Sequence, residues 1–415
     1  MGRLGKQSKQ KAALTASSAR WPALVLLSLA ELLAMSLWFS ASAVVPSLSA
    51  EWNLNDSIAS WLTIAVQLGF VCGTLISAFL NLPDVINVRY LFAACAFAAA
   101  LTNSIFGLYA SGPNAGIALR FLTGLFLAGV YPPGMKIMAT WFQRSRGMAL
   151  GVLIGALTLG KASPYLVNAI GSANWRLNVL YVSLFAVAGG LIVLFLVDKG
   201  PHALPAAPFD WKQAILVFRN RGARLANFGY FGHMWELYAM WLWLPVMLRA
   251  SFAAQSVFPQ VAEIASFLVI GCGVIGCVVG GILADRFGRT LVTSWAMAIS
   301  GGCCIAIGFL FNAEPVLLLL VSAVWGATVI ADSAQFSACV TELTDPKYVG
   351  TALTIQTCVG FLLTSVSIKL VPHVENVMGW RYAFIILAPG PLLGVFAMLR
   401  LRSLPEAAKI AHGRR

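Results

Sequence analysis

The sequence predicts an all-α membrane protein with twelve transmembrane helices in two pseudo-symmetric six-helix halves. First, 59% of its 415 residues are hydrophobic and only 10% are charged, whereas a soluble protein carries roughly a quarter charged residues. Second, apolar stretches of about 20 residues, long enough to cross a hydrocarbon core of about 30 Å, recur along the whole chain. Third, an eight-residue segment of the first half recurs in the second half.

Each apolar stretch predicts one helix, with the spans 22–48, 58–82, 90–110, 117–141, 148–170, 178–198, 223–248, 261–284, 291–311, 315–340, 349–371 and 381–401. The longest connection divides them six and six. It predicts an N-terminal half over 1–198, a cytoplasmic linker over 199–222 and a C-terminal half over 223–415. Because no loop can hold a soluble domain, any function must be built from the helices. Most enzyme classes are thereby excluded, and we expect a protein that is not an enzyme.

The basic residues give the expected orientation. The formal net charge is +13, but the basic residues are scattered between apolar stretches and form no basic domain, which argues against nucleic-acid binding. Most of the 28 Lys and Arg residues fall in the leader, in alternate loops and in the tail. This bias predicts cytoplasmic termini, and the short loops favour a bacterial inner membrane. The eight cysteines have no metal-ligand spacing, so we expect no metal and no cofactor.

The internal repeat marks two buried carboxylates. The segment ELLAMSLW, which begins at Glu31, matches ELYAMWLW, which begins at Glu236, at six of eight positions. Weak internal symmetry of this kind is typical of secondary transporters. Glu31 lies about ten residues into its helix and Glu236 about thirteen, about 15 to 20 Å deep, where a carboxylate costs about 2.5 to 3.5 kcal/mol. We therefore expect both to face inward, either in a structural ion pair or hydrogen bond, or binding a substrate or a proton.

Other polar and aromatic side chains share this depth. Trp38 and Tyr238 belong to the two repeat helices and are candidates for stacking on a planar substrate, although such aromatics also serve as packing or lipid-facing residues. His233 lies one helical turn from Glu236, where it is either a proton relay or a hydrogen-bonded packing residue. Lys161 is the deepest basic residue, and it either pairs with a buried carboxylate or binds an anionic group of the substrate.

One segment resembles a signature of the major facilitator superfamily. The stretch GILADRFGR, at the predicted cytoplasmic end of the eighth helix, is similar to the family's G-x-L-a-D-r-x-G-r motif. The resemblance implies a charged latch that stabilises one access state, and its members here are Gly281, Asp285, Arg286, Gly288 and Arg289. We expect Gly281 to permit close helix approach and Gly288 to allow a tight turn. The equivalent site of the first half, around Asp84, is a degenerate copy.

The fourth helix adds a second resemblance. The run that begins at Arg120 and continues to Gly124, Pro132 and Pro133 is similar to the family's fourth-helix motif, in which the arginine is linked to proton coupling. In this family, helices 1, 4, 7 and 10 line the central cavity, which implies that Asp332 and Gln335 of helix 10 belong to the site. The closest resemblance within the family is to bacterial nitrate/nitrite, cyanate and sugar-phosphate permeases. Lys161 stands where nitrate porters have a small residue, which argues against nitrate.

These features predict a secondary transporter that moves a small organic or anionic solute by alternating access. Proton-coupled uptake is the leading hypothesis, and proton-antiport efflux of amphipathic compounds is the alternative. No metalloprotease or serine-nucleophile motif supports an intramembrane enzyme. The expected partners are a small-molecule substrate, protons and the lipid bilayer, without nucleic acid, and we expect the monomer to be functional.

Overall fold

The computed structural model describes residues 20–142, 146–171, 174–202, 209–210 and 218–414. Their secondary structure is helical throughout, and twelve long helices follow one another. Their bounds are 20–52 (α1), Asp56–Phe79 (α2), Val88–Tyr109 (α3), Pro113–Trp141 (α4), Arg146–Ile170 (α5), Trp175–Phe195 (α6), Arg221–Ala254 (α7), Pro259–Phe287 (α8), Arg289–Leu310 (α9), Pro315–Leu343 (α10), Val349–Met378 (α11) and Trp380–Arg402 (α12). The prediction of an all-α membrane protein of twelve helices is therefore confirmed.

Helices α2 to α12 are each long and apolar enough to cross a membrane. The first span falls short of that length because its helix stops after residue 35 and continues as two short helices, Ser40–Ala43 and Val45–Trp52. Helices α4 and α10 are also interrupted, at 128–130 and at Asp332. Backbone groups freed at such depth need partners within the protein. At the interruption of α1, the side chain of Arg120 supplies such partners to the carbonyl oxygens of Leu37 and Trp38.

The two halves are packed alike. A Cβ atom added at Gly124 of α4 would collide with the carbonyl oxygen of Val66 in α2, and one added at Gly326 of α10 would collide with that of Val269 in α8. Close backbone approach through a small residue is a common way for helices to associate in a membrane. The similarity between the halves seen in α1 and α7 thus extends to the packing of α4 on α2 and of α10 on α8.

The halves meet along α2 with α11 and along α5 with α8. We call the side that carries the α6–α7 connection and the C-terminal segment Pro405–Gly413 the linker side. A cavity of about 360 Å³ lies there between the halves, lined by residues of α2, α4, α10 and α11. Much of the predicted linker, residues 203–208 and 211–217, and the basic leader 1–19 lie outside the described residues.

On the opposite side, two basic residues of the second half reach the first half. Lys369 of α11 donates to the carbonyl oxygen of Ser57 at 2.6 Å, and Arg249 of α7 lies 3.5 Å from the carbonyl oxygen of Ala43. Nearer the middle, Thr364 of α11 donates to Gln67 of α2 at 2.6 Å. The halves are therefore bridged on this side and separated by a cavity on the linker side.

Candidate substrate site

Lys161 lies inside a cage of aromatic rings built by both halves. Its ammonium nitrogen is 4.5 Å from the ring centroid of Trp38, 4.8 Å from that of Tyr238 and 5.3 Å from that of Trp241. It also donates to the hydroxyl oxygen of Tyr238 at 2.5 Å. An ammonium held against several ring faces is stabilised by cation–π attraction when water is excluded, and Lys161 is only 3% exposed. Trp38, Lys161 and Tyr238, which were all predicted from the sequence as site residues, thus lie in contact with one another.

More rings close the cage on the α2 and α11 side. Phe361 of α11 packs against Trp38 and Tyr238 with centroid separations of 5.5 and 5.1 Å. Phe70 of α2 lies 5.2 Å from Trp38 and 4.8 Å from Phe361. Because these rings come from both halves, a movement between the halves would open or reshape the cage.

The cage contains hydrogen-bond donors without acceptors. The indole nitrogens of Trp38 and Trp241 are buried and donate to no atom of the described residues. Buried indole N–H groups normally find a partner. With the ammonium of Lys161 they form a buried group of donors, which suits a ligand that supplies acceptor oxygens.

Glu31 lies on the linker side of the cage. Its side chain is fully buried, and neither carboxylate oxygen accepts a hydrogen bond within the described chain. It interacts electrostatically with Lys161 and Tyr131, and Tyr131 lines the linker-side cavity. A buried carboxylate without hydrogen bonds needs a counter-ion or a proton. Lys161 is the counter-ion that this structure offers.

Glu236 occupies a different environment from its repeat partner. Its carboxylate accepts hydrogen bonds from Trp325 at 2.5 Å, from Ser300 at 3.0 Å and from the thiol of Cys304 at 3.1 Å. All three donors belong to α9 and α10 of the second half. The hydrogen-bonding capacity of Glu236 is therefore met within its own half, whereas Glu31 is the carboxylate close to Lys161.

His233 and Asp332 form a separate buried pair in the second half. Nδ1 of His233 lies 2.9 Å from Oδ1 of Asp332, and both side chains are almost fully buried. Asp332 sits at the interruption of α10, and the ring of Phe336 lies 5.6 Å from His233. Gln335 is not part of this pair. Its side-chain oxygen accepts a hydrogen bond from Arg289 at 2.7 Å on the linker side.

Arg120 supports the interruption of α1. Its Nη2 donates to the carbonyl oxygens of Leu37 and Trp38 at 2.9 and 2.6 Å. Its Nη1 donates to Ser40 and Asn103 at 3.0 and 2.7 Å. The fully buried guanidinium therefore satisfies the backbone beside Trp38 rather than facing the cage. This geometry gives Arg120 a positioning role beside the proton role that the resemblance implies.

The segment predicted as a latch has partners on both halves. Asp285 lies against the first turn of α5, where a Cβ at Gly147 would be 3.2 Å from its Oδ1, and a helix N-terminus favours such a negative charge. Arg289 pairs with Glu342 of α10 at 2.8 and 3.1 Å instead of joining Asp285. The guanidinium of Arg286 lies 5.2 Å from the ring of Phe287.

The two glycines of this segment differ in how the structure uses them. Gly288 has a φ of 95°, a conformation that favours glycine. At Gly281 a Cβ would make only an ordinary contact, 3.5 Å from the carbonyl oxygen of Gly147, whereas one at Gly280 would collide with that of Ala331 in α10. The prediction that Gly281 permits close helix approach is therefore wrong, and its neighbour Gly280, just before the segment, does so instead.

Sequence reasoning missed three residues of the site. Tyr131, Phe70 and Phe361 carry no charge and lie in helices outside the repeat segment, so nothing distinguished them from ordinary packing residues. Tyr131 directly precedes Pro132 and Pro133 of the fourth-helix motif. Its position beside that motif is the one signal that would have pointed to it.

Comparisons with known proteins agree with this architecture. The family model described as Major Facilitator Superfamily matches residues 27–368. The chain is similar to a gallate transporter of Pseudomonas putida, with 22% identity over 68% of this chain and 69% of the relative. It is similar to a 4-hydroxybenzoate transporter of Pseudomonas aeruginosa, with 23% identity over 64% of this chain and 66% of the relative.

A protein of Staphylococcus haemolyticus named as a proline/betaine transporter is 25% identical over 42% of this chain and 40% of its own length. The chain thus matches between two fifths and about two thirds of the length of these three relatives. The predicted superfamily is confirmed, whereas the closer likeness to nitrate and sugar-phosphate permeases stays a prediction. With the family match over most of the chain, twelve helices in two related halves and a site between them, this protein belongs to the Major Facilitator Superfamily of membrane transporters and is not an enzyme.

Proposed function

We propose that this protein is a secondary transporter that takes up small planar organic acids across the bacterial inner membrane together with protons. The observation that carries the proposal is the buried Lys161 ammonium, held within an aromatic cage to which both halves contribute. In this proposal the termini are cytoplasmic, and the linker-side cavity opens to the cytoplasm.

The donors of the cage favour an anionic ligand with a flat apolar body. A carboxylate of the substrate would pair with Lys161 and accept from the unsatisfied indole nitrogens of Trp38 and Trp241. The rings of the cage would then stack on the body of the substrate. Gallate and 4-hydroxybenzoate, named for two of the relatives, are hydroxylated aromatic acids of this class.

Glu31 supplies a mechanism for proton coupling. Without substrate, Lys161 is the counter-ion within electrostatic reach of Glu31. A substrate carboxylate competes for the same ammonium and leaves Glu31 buried without a partner. Because an unpaired charge is costly at this depth, Glu31 then takes up a proton. One anion and one proton would thus enter the site together.

Alternating access follows from the asymmetric interface. The linker-side cavity lies between the halves, while Lys369 and Arg249 bridge them on the opposite side. Rocking the halves about the cage would break these two bridges and close the linker-side cavity. Asp285 at the first turn of α5 would stabilise one of the two states.

Transport in proteoliposomes tests the proposal. An inward proton gradient should drive accumulation of labelled 4-hydroxybenzoate, and a protonophore should abolish it. The neutral isostere 4-hydroxybenzamide should not compete. The variant Lys161→Gln should lose uptake, whereas Lys347→Gln, which removes an exposed basic residue outside the cage, should retain it. Failure to accumulate any aromatic acid would refute the proposed substrate class. Gradient-driven efflux would favour the antiport alternative.

A further inference from the structure

A second cavity lies on the side opposite the linker, outside the cage. It has a volume of about 350 Å³, and both halves form its walls: Pro46 and Ser47 of α1, Asn168 of α5, Arg249 of α7 and Gln260 and Glu263 of α8. Its mouth carries exposed residues, among them Gln260. The cavity is therefore accessible on the side from which a substrate would arrive during uptake.

Among the described residues that line this cavity, Arg249 alone is basic. Its Nε and Nη2 donate to the carboxylate of Glu263 at 2.5 and 3.2 Å, and its Nη2 also lies 3.5 Å from the carbonyl oxygen of Ala43. Its Nη1 donates to no acceptor within the described residues. A guanidinium offers five donors in a planar fork that matches a carboxylate. Arg249 therefore keeps donors for a ligand while it contacts both halves.

One face of α5 connects this cavity with the cage. Lys161, Tyr165 and Asn168 follow one another at spacings of four and three residues, which places them on the same side of the helix. Lys161 stands in the cage, and the guanidinium of Arg249 lies 5.8 Å from the ring of Tyr165. Asn168 lines the outer cavity and donates to the carbonyl oxygen of Ala43 at 3.2 Å.

We infer that this cavity is an outer binding site for organic carboxylates, in which Arg249 recognises the anion before it reaches Lys161. Two features support an anion over a cation. Arg249 has donors left for a ligand while it stays paired with Glu263. The neighbouring side-chain amides of Asn168 and Gln260 can also donate. The inference rests on the proposed function for the identity of the anion, but the charge preference of the cavity can be measured without it.

Occupation of the outer site would also affect the bridge between the halves. The same guanidinium that would bind the anion lies against Ala43, whose carbonyl oxygen follows the first interruption of α1. An anion that draws Arg249 into the cavity weakens this contact. Binding at the outer site therefore favours opening on that side, so that the substrate promotes its own passage to the cage.

Cysteine accessibility tests the charge preference in intact cells. Gln260→Cys introduces a thiol at the cavity mouth, and the unsubstituted protein with its eight native cysteines provides the blank. Membrane-impermeant methanethiosulfonates, one anionic and one cationic, are added outside. We expect the anionic reagent to be favoured, and adding Arg249→Gln to slow its reaction about fivefold, the effect of one unit charge at about 4 Å in water. Adding Arg381→Gln instead removes an exposed basic residue on the same side, at the start of α12, and should leave the preference unchanged.

Transport kinetics give the second readout. For 4-hydroxybenzoate uptake, Arg249→Gln should raise KM about tenfold, the effect of losing one hydrogen bond to a charged group, while exit from preloaded vesicles keeps its KM. Absence of an anion preference, or an equal loss in Arg381→Gln, would overturn the inference even if aromatic acids are transported. An anion preference that depends on Arg249 in a protein that transports no aromatic acid would support the outer site and refute the proposed substrate class.

Discussion

The ammonium nitrogen of Lys161 and the hydroxyl oxygen of Tyr238 lie 2.5 Å apart, and the two residues belong to different halves of the protein. Lys161 comes from α5 and Tyr238 from α7. The hydrogen bond therefore crosses the interface along which the halves must move. This one hydrogen bond therefore links the charged group of the proposed substrate site to the relative position of the two halves.

Tyr238→Phe should separate these two roles of the tyrosine. The variant keeps the ring that faces the ammonium but removes the hydroxyl oxygen, and a hydrogen bond to a charged group contributes about 1.5 to 3 kcal/mol. We expect the KM for aromatic acids to rise about tenfold or more with a smaller change in kcat, and Tyr238→Ala to be more severe because the ring face is also lost. Uptake kinetics in proteoliposomes measure both. Equal kinetics for Tyr238→Phe and the parent would show that the bond is dispensable.

Glu31→Gln should uncouple the proton from the substrate. Glutamine cannot take up a proton, so the competition between Glu31 and the substrate for Lys161 is removed. We expect exchange of labelled for unlabelled acid across the membrane to persist, while accumulation driven by a pH gradient is lost. Counterflow and gradient-driven uptake are measured on the same vesicles. Gradient-driven accumulation at the parental rate would exclude Glu31 as the coupling residue.

The two repeat carboxylates should differ in their effect on stability. Glu236→Leu leaves the indole of Trp325 and the thiol of Cys304 without their acceptor, and each buried unsatisfied group costs about 1 to 3 kcal/mol. Ser300 can still donate to the carbonyl oxygen of Met297. Glu31→Leu leaves no hydrogen-bond donor without an acceptor, because Glu31 accepts none from the described residues. The ammonium of Lys161 loses its counter-ion in this variant but keeps its hydrogen bond to Tyr238 and its aromatic rings. Thermal unfolding in detergent should therefore show a much larger fall in Tm for Glu236→Leu. Equal falls would contradict the environments described for the two residues.

Arg120→Lys should destabilise the first half although it keeps the charge. A lysine supplies three donors from a single atom and cannot reach the four acceptors around the α1 interruption together. We expect a lower Tm and weaker binding in the cage, because the carbonyl group of Trp38 loses its partner. Lys136→Arg, a charge-conserving change at the linker side, is the matched control. A stable variant with lost proton coupling would instead favour the role that the resemblance implies.

The fold could be predicted from the sequence because a membrane span leaves a strong signal. Runs of apolar residues and the distribution of basic residues depend on the bilayer and not on the contacts between helices. The repeat around Glu31 and Glu236 was also visible in the sequence. It could not show that the two carboxylates have different partners, since those partners come from α9 and α10 in one case and from α5 in the other.

The cage was predictable in part. Trp38, Lys161 and Tyr238 were recognised as polar or aromatic residues near the midplane, and the structure brings them together. Phe70 and Phe361 were not recognised, because the sequence does not distinguish a phenylalanine that packs against a ligand site from one that faces lipid. Gln335 was expected in the central cavity through the family resemblance, but its bond to Arg289 depends on how α9 approaches α10.

The different surroundings of Glu31 and Glu236 have an evolutionary consequence. A duplicated half begins with two identical carboxylates, and a mutation that harms the scaffold in one copy is as costly as in the other. In this protein, Ser300, Cys304 and Trp325 hold the copy in the second half, and the copy in the first half accepts no hydrogen bond from the described residues. A chemical role that needs a carboxylate without hydrogen bonds could then evolve at Glu31 in the first half, while Glu236 kept its structural role in the second half.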